Sequence, residues 1–257
     1  MLVLLSCAKT MSAVSKVKVP LTTIPRFQKE AAEIALQMSQ FSVDELERLL
    51  RVNAKIAVEN YKRYQAFHAE TTPELPALLA YTGIVFKRLN PKDFSAEDFG
   101  YAQEHLRLTS FCYGLLRPLD VIRAYRLEGD VVLPELRNQT LFSYWRSRLT
   151  DTFIEDIRSA GGILCNLASD EMKSLFDWKR VESEVRVVTP EFHVWKNGKL
   201  ATIVVYTKMS RGEMTRFILK NKIGNPEELK GFSWEGFEFD ESLSDEKKLV
   251  FINGMGE

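Results

Sequence analysis

The sequence predicts a mixed α/β (α+β) fold, a central mixed β-sheet flanked by helices, on three observations. Short β-branched or aliphatic runs alternate with longer stretches whose apolar residues recur every three or four positions. Composition is that of a folded chain, 45% hydrophobic and 27% charged over 257 residues, which excludes a disordered protein. No repeat of about 20 to 50 residues and no low-complexity linker interrupts the pattern. Length alone admits one large domain or two small ones.

Leu2 to Leu5 reads as a first strand, followed by a small-residue loop, Ser6-Cys7-Ala8-Lys9-Thr10. In an open sheet ligands bind in the loops at strand C-termini, so Lys9 is a candidate phosphate or carbonyl contact; the alternative is a solvated lysine. Pro20 and Pro25 punctuate a connector, and Phe27 to Met38 has helical spacing. Ser42-Val43-Asp44-Glu45 is a capping box before Leu46, Leu49 and Leu50, and Asn53 begins a third helix running to Phe67. Thr72-Pro73-Glu74 starts a short helix by capping logic, whereas Leu78 to Phe86 fits a strand or a buried helix equally. Ser95-Ala96-Glu97-Asp98 opens the helix of Phe99, Ala102, Gln103 and His105. After it, Arg107, Arg117, Arg123 and Arg126 offer planar forks suited to phosphate or carboxylate. Internal pairs, Arg117 with Asp120 and Arg126 with Glu128, are the competing account.

Leu141 to Ile157 is a helix with an apolar stripe, ended by Gly161-Gly162. A strand, Ile163 to Leu167, leads into Ala168-Ser169-Asp170-Glu171, where Asn166, Ser169, Asp170 and Glu171 are placed for acid/base work; capping also explains the last three. Val185 to Val188 and Phe192 to Trp195 are β-structure, His193 is structural, and Lys196-Asn197-Gly198-Lys199 is a hairpin turn. Leu200 to Tyr206 reads as a buried strand that turns into a helix over Thr207 to Phe217. Lys208, Arg211 and Arg216 crowd that joint, where a helix start with free N–H groups would hold an anion such as phosphate. Solvated side chains, or pairing with Glu213, would explain them as well. Ile223 to Phe232 forms a turn and second short helix, resembling a helix–hairpin–helix element that grips a duplex phosphate. Gly236 to Asp240 and Leu249 to Phe251 read as edge strands.

Formal charge is zero, with 35 basic and 35 acidic side chains, which argues against an evenly basic nucleic-acid binder. Residues 235–246 hold six acids and no Lys or Arg, leaving +6 on the remainder, so a local basic cleft stays possible. Cys7, Cys112 and Cys165 are odd in number and widely spaced, favouring neither a disulfide framework nor a zinc ribbon and fitting the cytoplasm. The N-terminal apolar run is too short and lacks the basic flank of a signal peptide, and no segment reaches the ~18 apolar residues of a membrane span. No Walker loop, G-x-G-x-x-G, H-E-x-x-H or G-x-S-x-G is present, and three scattered histidines argue for no metal and no cofactor.

The ordered blocks Leu4-Leu5-Ser6-Cys7-Ala8-Lys9-Thr10, Ala102 to Arg107, Tyr113 to Asp120, Tyr125 to Glu128, Asn166 to Glu171, Lys208-x-x-Arg211-Gly212-x-Met214-x-Arg216-Phe217 and Glu235-Gly236-Phe237 resemble the YaaA peroxide-stress proteins over nearly the whole chain. The resemblance implies a single domain over residues 1–257 with a "cantaloupe" fold, a positively charged cleft and a helix–hairpin–helix-type element. It implies binding to double-stranded DNA, including damaged or bent DNA, likeness to DNA glycosylases and lyases, and a role in limiting oxidative DNA damage and free iron. It names no membrane and no obligate protein partner. Cys7 stands where the family usually has Pro, Ile84 where an Asp is usual after Gly83, and Met172 where Tyr is usual.

The expected function is therefore a DNA-binding stress protein with Lys9, Arg107, Arg117, Arg126, Lys208, Arg211, Gly212 and Arg216 as phosphate contacts. The alternative is a repair enzyme of glycosylase or AP-lyase type, with Lys9 or Lys208 as nucleophile and Glu171 or Asp170 shuttling protons. A small-molecule nucleotide enzyme using the same cations is the third expectation.

Overall fold

Leu2–Leu5 form β1, and all four are buried, as a strand covered on both faces and both edges must be. The computed structural model describes residues 1–136, 138–196 and 198–254 of the chain. After β1 come α1 (Gln28–Met38), α2 (Val43–Leu50) and α3 (Ala54–Ala66). The Ser42/Glu45 capping box and the Asn53 cap both form as their residue types dictate.

The next stretch departs from the sequence expectation. Leu75–Pro76 is a short strand, β2, paired with β5 (Val121–Ile122), so the helix expected from Thr72-Pro73-Glu74 begins only at Ala77. Ala77 and Leu78 donate their N–H groups to the Asp120 and Pro118 carbonyls, which pins the segment to that turn instead. The undecided run from Leu78 to Phe86 is helical at both ends, α4 (Ala77–Ala80) and α5 (Ile84–Leu89), broken at Gly83. Next come α6 (Ala96–His105), with its Ser95/Asp98 capping box, β3 (Leu106–Ser110) and β4 (Gly114–Leu116). After β5, β6 (Val132–Leu133) and β7 (Gln139–Thr140) make a small hairpin.

The expected stripe Leu141, Tyr144, Trp145, Leu149, Phe153 and Ile157 is the buried face of α7 (Leu141–Ser159). Gly161 and Gly162 end it at φ 104° and 77°, values open to glycine. β8 (Ile163–Asn166), α8 (Trp178–Glu184), β9 (Arg186–Lys196), β10 (Lys199–Ala201), α9 (Val204–Asn221), β11 (Phe237–Asp240) and β12 (Lys248–Asn253) complete the order. Of the expected hairpin turn, Asn197 lies outside the described residues; Lys196 and Lys199 are cross-strand partners. His193 bonds Glu191 and Thr202.

The main sheet runs β11-β12-β9-β8-β1-β3-β4, with β10 added on β9. β3, β1, β8, β9 and β12 are mutually parallel, and β4, β10 and β11 pair antiparallel to their neighbours. It is thus a mixed sheet flanked by helices. β12 lies between β11 and β9, so only β11 is an edge strand of the two expected near the C-terminus. The chain leaves β1 toward β3 on one side and returns to β8 on the other. That switch of direction opens a crevice beyond the C-terminal ends of β1 and β8.

Two corrections fall on the residues around Lys208. The strand expected over Leu200–Tyr206 pairs with β9 only through Ala201, and Val204, Val205 and Tyr206 are the first turn of α9. Without a partner strand the backbone beyond Ala201 would leave its polar groups open, whereas a helix satisfies them locally, as in Thr207 N–H to Ile203 carbonyl at 2.9 Å. The second helix of the expected helical hairpin is a six-residue 3-10 segment, Pro226–Gly231, held by an Asn225/Glu228 capping box.

Candidate functional site

The crevice is a cavity of about 330 Å³ whose walls include the loops after β1 and β8, the start of α5 and the second turn of α9. The two strand-end loops are tied together: Ser169 N–H donates to Ser6 Oγ at 2.8 Å, and the two hydroxyl oxygens stand 3.2 Å apart. Cys7 N–H donates to Thr109 Oγ1 at 3.2 Å, and Thr109 Oγ1 donates to Met172 Sδ at 3.1 Å. A rigid apolar floor comes from Phe86, Phe111, Tyr125 and Met172. The Tyr125 hydroxyl is locked between Tyr81 (2.7 Å) and Ser110 (2.6 Å).

Lys9, Arg126, Lys208 and Arg211 all line this cavity, and so does Glu171. Ile84 lines it as well, so Glu171 is the one carboxylate among the described lining residues. The four cations are not equivalent. Lys9 Nζ donates to both oxygens of the buried Glu128 at 2.9 and 2.8 Å, and Arg126 reaches the same carboxylate at 3.6 Å. Lys208 and Arg211 form no hydrogen bond or ion pair with their side chains among the described residues. Burial pulls the Arg211 guanidinium below its ordinary pKa against the opposing field of Asp170. The Nε atoms of Arg211 and Arg126 are inaccessible and without an acceptor. Burying such donors unmatched costs free energy, and both belong to guanidinium groups of residues that line the cavity, a chemistry suited to an oxyanion.

Cys7, also in the wall, is pushed up to about 12, first by burial and further by Glu171 and Glu128, so its thiol stays protonated at neutral pH.

The other expected contacts lie elsewhere. Asp170 is turned out to Lys173 at 2.8 Å, which with Arg211 holds its carboxyl below the usual range. Ser169 caps nothing with its side chain, and the segment after it, Asp170–Leu175, is a 3-10 helix. Arg107 is buried, with Nε donating to Asp156 at 2.7 Å and Nη1 to the Gln103 and Leu106 carbonyls, both at 3.0 Å. Arg117 closes on Asp120 at 3.0 Å, an internal pair of the kind the sequence left open. Arg216 binds Asp93 through both terminal nitrogens (2.8 and 2.6 Å) and the Asn90 carbonyl (3.0 Å), capping the end of α5.

Helical geometry explains the division within α9. Lys208 and Arg211 are three residues apart, on one face, whereas Arg216 lies about 140° round from Arg211. Because α9 starts at Val204, none of the three stands beside the free N–H groups of its first turn. Gly212 serves packing: a Cβ there would run into the Val85 carbonyl and Arg88 Cβ of α5. The sequence offers Glu128 as a partner for Arg126, and that pair forms at 3.6 Å, but its contact with Lys9 across 119 positions carries no sequence signal, nor do the floor residues, which come from four separate segments with no common period.

Comparison with known proteins places the whole chain among close relatives. A protein of Bacteroides thetaiotaomicron is 98% identical over 257 residues, covering 100% of both chains, and one of Bacteroides fragilis is 78% identical over the same full length. A protein of Crocosphaera subtropica is 38% identical over 253 residues, 98% of this chain and 100% of its own. All three are named UPF0246 proteins. The family model described as "Peroxide stress protein YaaA" matches residues 1–243.

Proposed function

The chain belongs to the peroxide stress protein YaaA family, and from that premise we propose that it acts in peroxide resistance by gripping duplex DNA through its backbone phosphates, protecting it from oxidative damage. The observation that carries this reading is the Lys208–Arg211 face of α9, two cations whose side chains have no protein partner among the described residues, beside a cavity where Lys9 and Arg126 are drawn to Glu128. A cavity of about 330 Å³ cannot admit a duplex. It suits one phosphate with its sugar, the rest of the duplex lying across the mouth. Lys9 and Arg126, already drawn to Glu128, shape the field around that phosphate rather than carry it.

Two to four phosphate contacts release a matching number of condensed counterions. Affinity for a duplex should then fall about 10- to 150-fold between ~50 and ~200 mM salt. Titration by fluorescence anisotropy at several salt concentrations measures the slope, and an affinity indifferent to salt overturns the reading.

A second reading, an AP lyase, is favoured by one detail: Lys9 is held by Glu128, whereas Lys208 is an unencumbered amine across the cavity from Glu171. Lys208 is then the nucleophile toward the aldehyde of an abasic sugar, with Glu171 moving the proton and water leaving as the imine forms. Borohydride should trap a covalent adduct with abasic DNA in the native chain and in Lys9→Ala but not in Lys208→Ala. No adduct with the native chain ends this reading and leaves the phosphate grip standing.

A further inference from the structure

β9 outruns its neighbours. It pairs with β8 only through Val188 and with β12 only through Val194, yet continues to Lys196, eight residues or about 26 Å beyond Val188. Because β1, β8 and β9 are parallel, this overrun points beyond the same edge of the sheet at which the cavity opens. Its tip is capped by the short return strand β10, where Trp195 and Leu200 are direct cross-strand partners and share a face.

Next to the Lys196–Lys199 pair that ends the strands lies an exposed apolar patch. Trp195 is 41% exposed and Leu200 38%, and the patch continues onto the first turn of α9 with Val204 at 64% and Val205 at 42%. Lys196, Lys199 and Lys208, all exposed, flank it. On the same face of β9 the acid is Glu191, which faces His193 at 3.2 Å. From Leu200 to Lys208 the chain spans at most about 18 Å, the length of five or six base-pair steps. One polyanion can therefore meet the lysines of the tip and the cations of the cavity together. An aromatic ring set among lysines is the chemistry that receives a base while the backbone beside it is held.

We infer that the β9–β10 hairpin is a nucleic-acid arm, with Trp195 stacking on an unstacked base and Lys196 and Lys199 on flanking phosphates, while the cavity holds a phosphate farther along the same strand. The inference rests on the phosphate grip proposed above and names the DNA form preferred: one with a mismatched, nicked or terminal base available to the ring. The apolar patch favours this over a purely electrostatic wing, since Lys side chains alone need no tryptophan between them.

The test is a titration of the native chain, Trp195→Ala, Trp195→Phe and Lys208→Ala/Arg211→Ala with a ~20-base-pair duplex carrying a central mismatch and with a dinucleotide. Tryptophan emission and anisotropy are read in parallel. Trp195→Ala should bind the mismatched duplex about tenfold more weakly, Trp195→Phe should keep most of the affinity, and neither should alter dinucleotide binding. The emission quenched by DNA in the native chain should be absent in Trp195→Phe. Equal affinity of the native chain and Trp195→Ala, with binding still lost in Lys208→Ala/Arg211→Ala, overturns the arm and spares the grip. Failure of the native chain to bind either probe overturns both. A Trp195 emission change driven by phosphatidylserine vesicles, or by raising protein concentration with self-association in sedimentation, assigns the patch to a membrane surface or to a second copy and also overturns the arm.

Discussion

Replacing Asp156 with Ala should lower the unfolding free energy by about 3–5 kcal/mol, read as a shift of the urea midpoint at unchanged slope. Arg107 and Asp156 have side chains only 8% and 11% exposed, with Nε donating to the carboxylate at 2.7 Å. Arg26 approaches the other oxygen at 3.1 Å. Removing the carboxylate strands the Arg107 guanidinium in the interior between α6 and α7, with only carbonyl acceptors left. A loss below ~1 kcal/mol would place the pair in a solvent-screened setting that its burial contradicts. The measurement also bears on function, because an Arg107 so engaged is a scaffold for β3 rather than a group free to meet a phosphate.

The double variant Lys208→Ala/Arg211→Ala should bind duplex DNA about 100-fold more weakly or worse, each charged hydrogen bond being worth ~1.5–3 kcal/mol. Its melting temperature should be unchanged or higher. Arg211 is desolvated without a protein acceptor, so deleting it removes a cost of folding rather than a contact. Arg216→Ala is the control with the opposite signature. Losing the cap on α5 and the Asp93 pair reduces stability while leaving the phosphate grip in place. A double variant that melts early and still binds DNA would reverse both assignments.

Much of the cavity was legible because a general rule reaches it. Lys9 and Glu171 follow strands, and loops at the C-terminal ends of parallel strands converge wherever the strands are neighbours, as β1 and β8 are. Lys208 and Arg211 were found for a different reason than the one that places them. The sequence points to them as ligands of a helix start, whereas α9 begins earlier and brings them to the cavity on its second turn. The error came from Val204 and Val205, whose β-branching suggests a strand although both stand exposed in a helix.

Periodicity and capping chemistry are enough to read the mixed α/β class, α1, α2, α3, α6 and α7, β1 and β8 from the sequence, and the ordered motif blocks, by their resemblance, point to the family. These are local or additive signals, written within a turn or a strand of each residue. Only the tertiary structure decided which cations are free. Glu128 reaches Lys9, Asp156 reaches Arg107 and Asp93 reaches Arg216 across 119, 49 and 123 positions. Pairing at such separations depends on how the layers pack, and of the candidate cations among the described residues it leaves Lys208 and Arg211, both lining one cavity, without a side-chain partner.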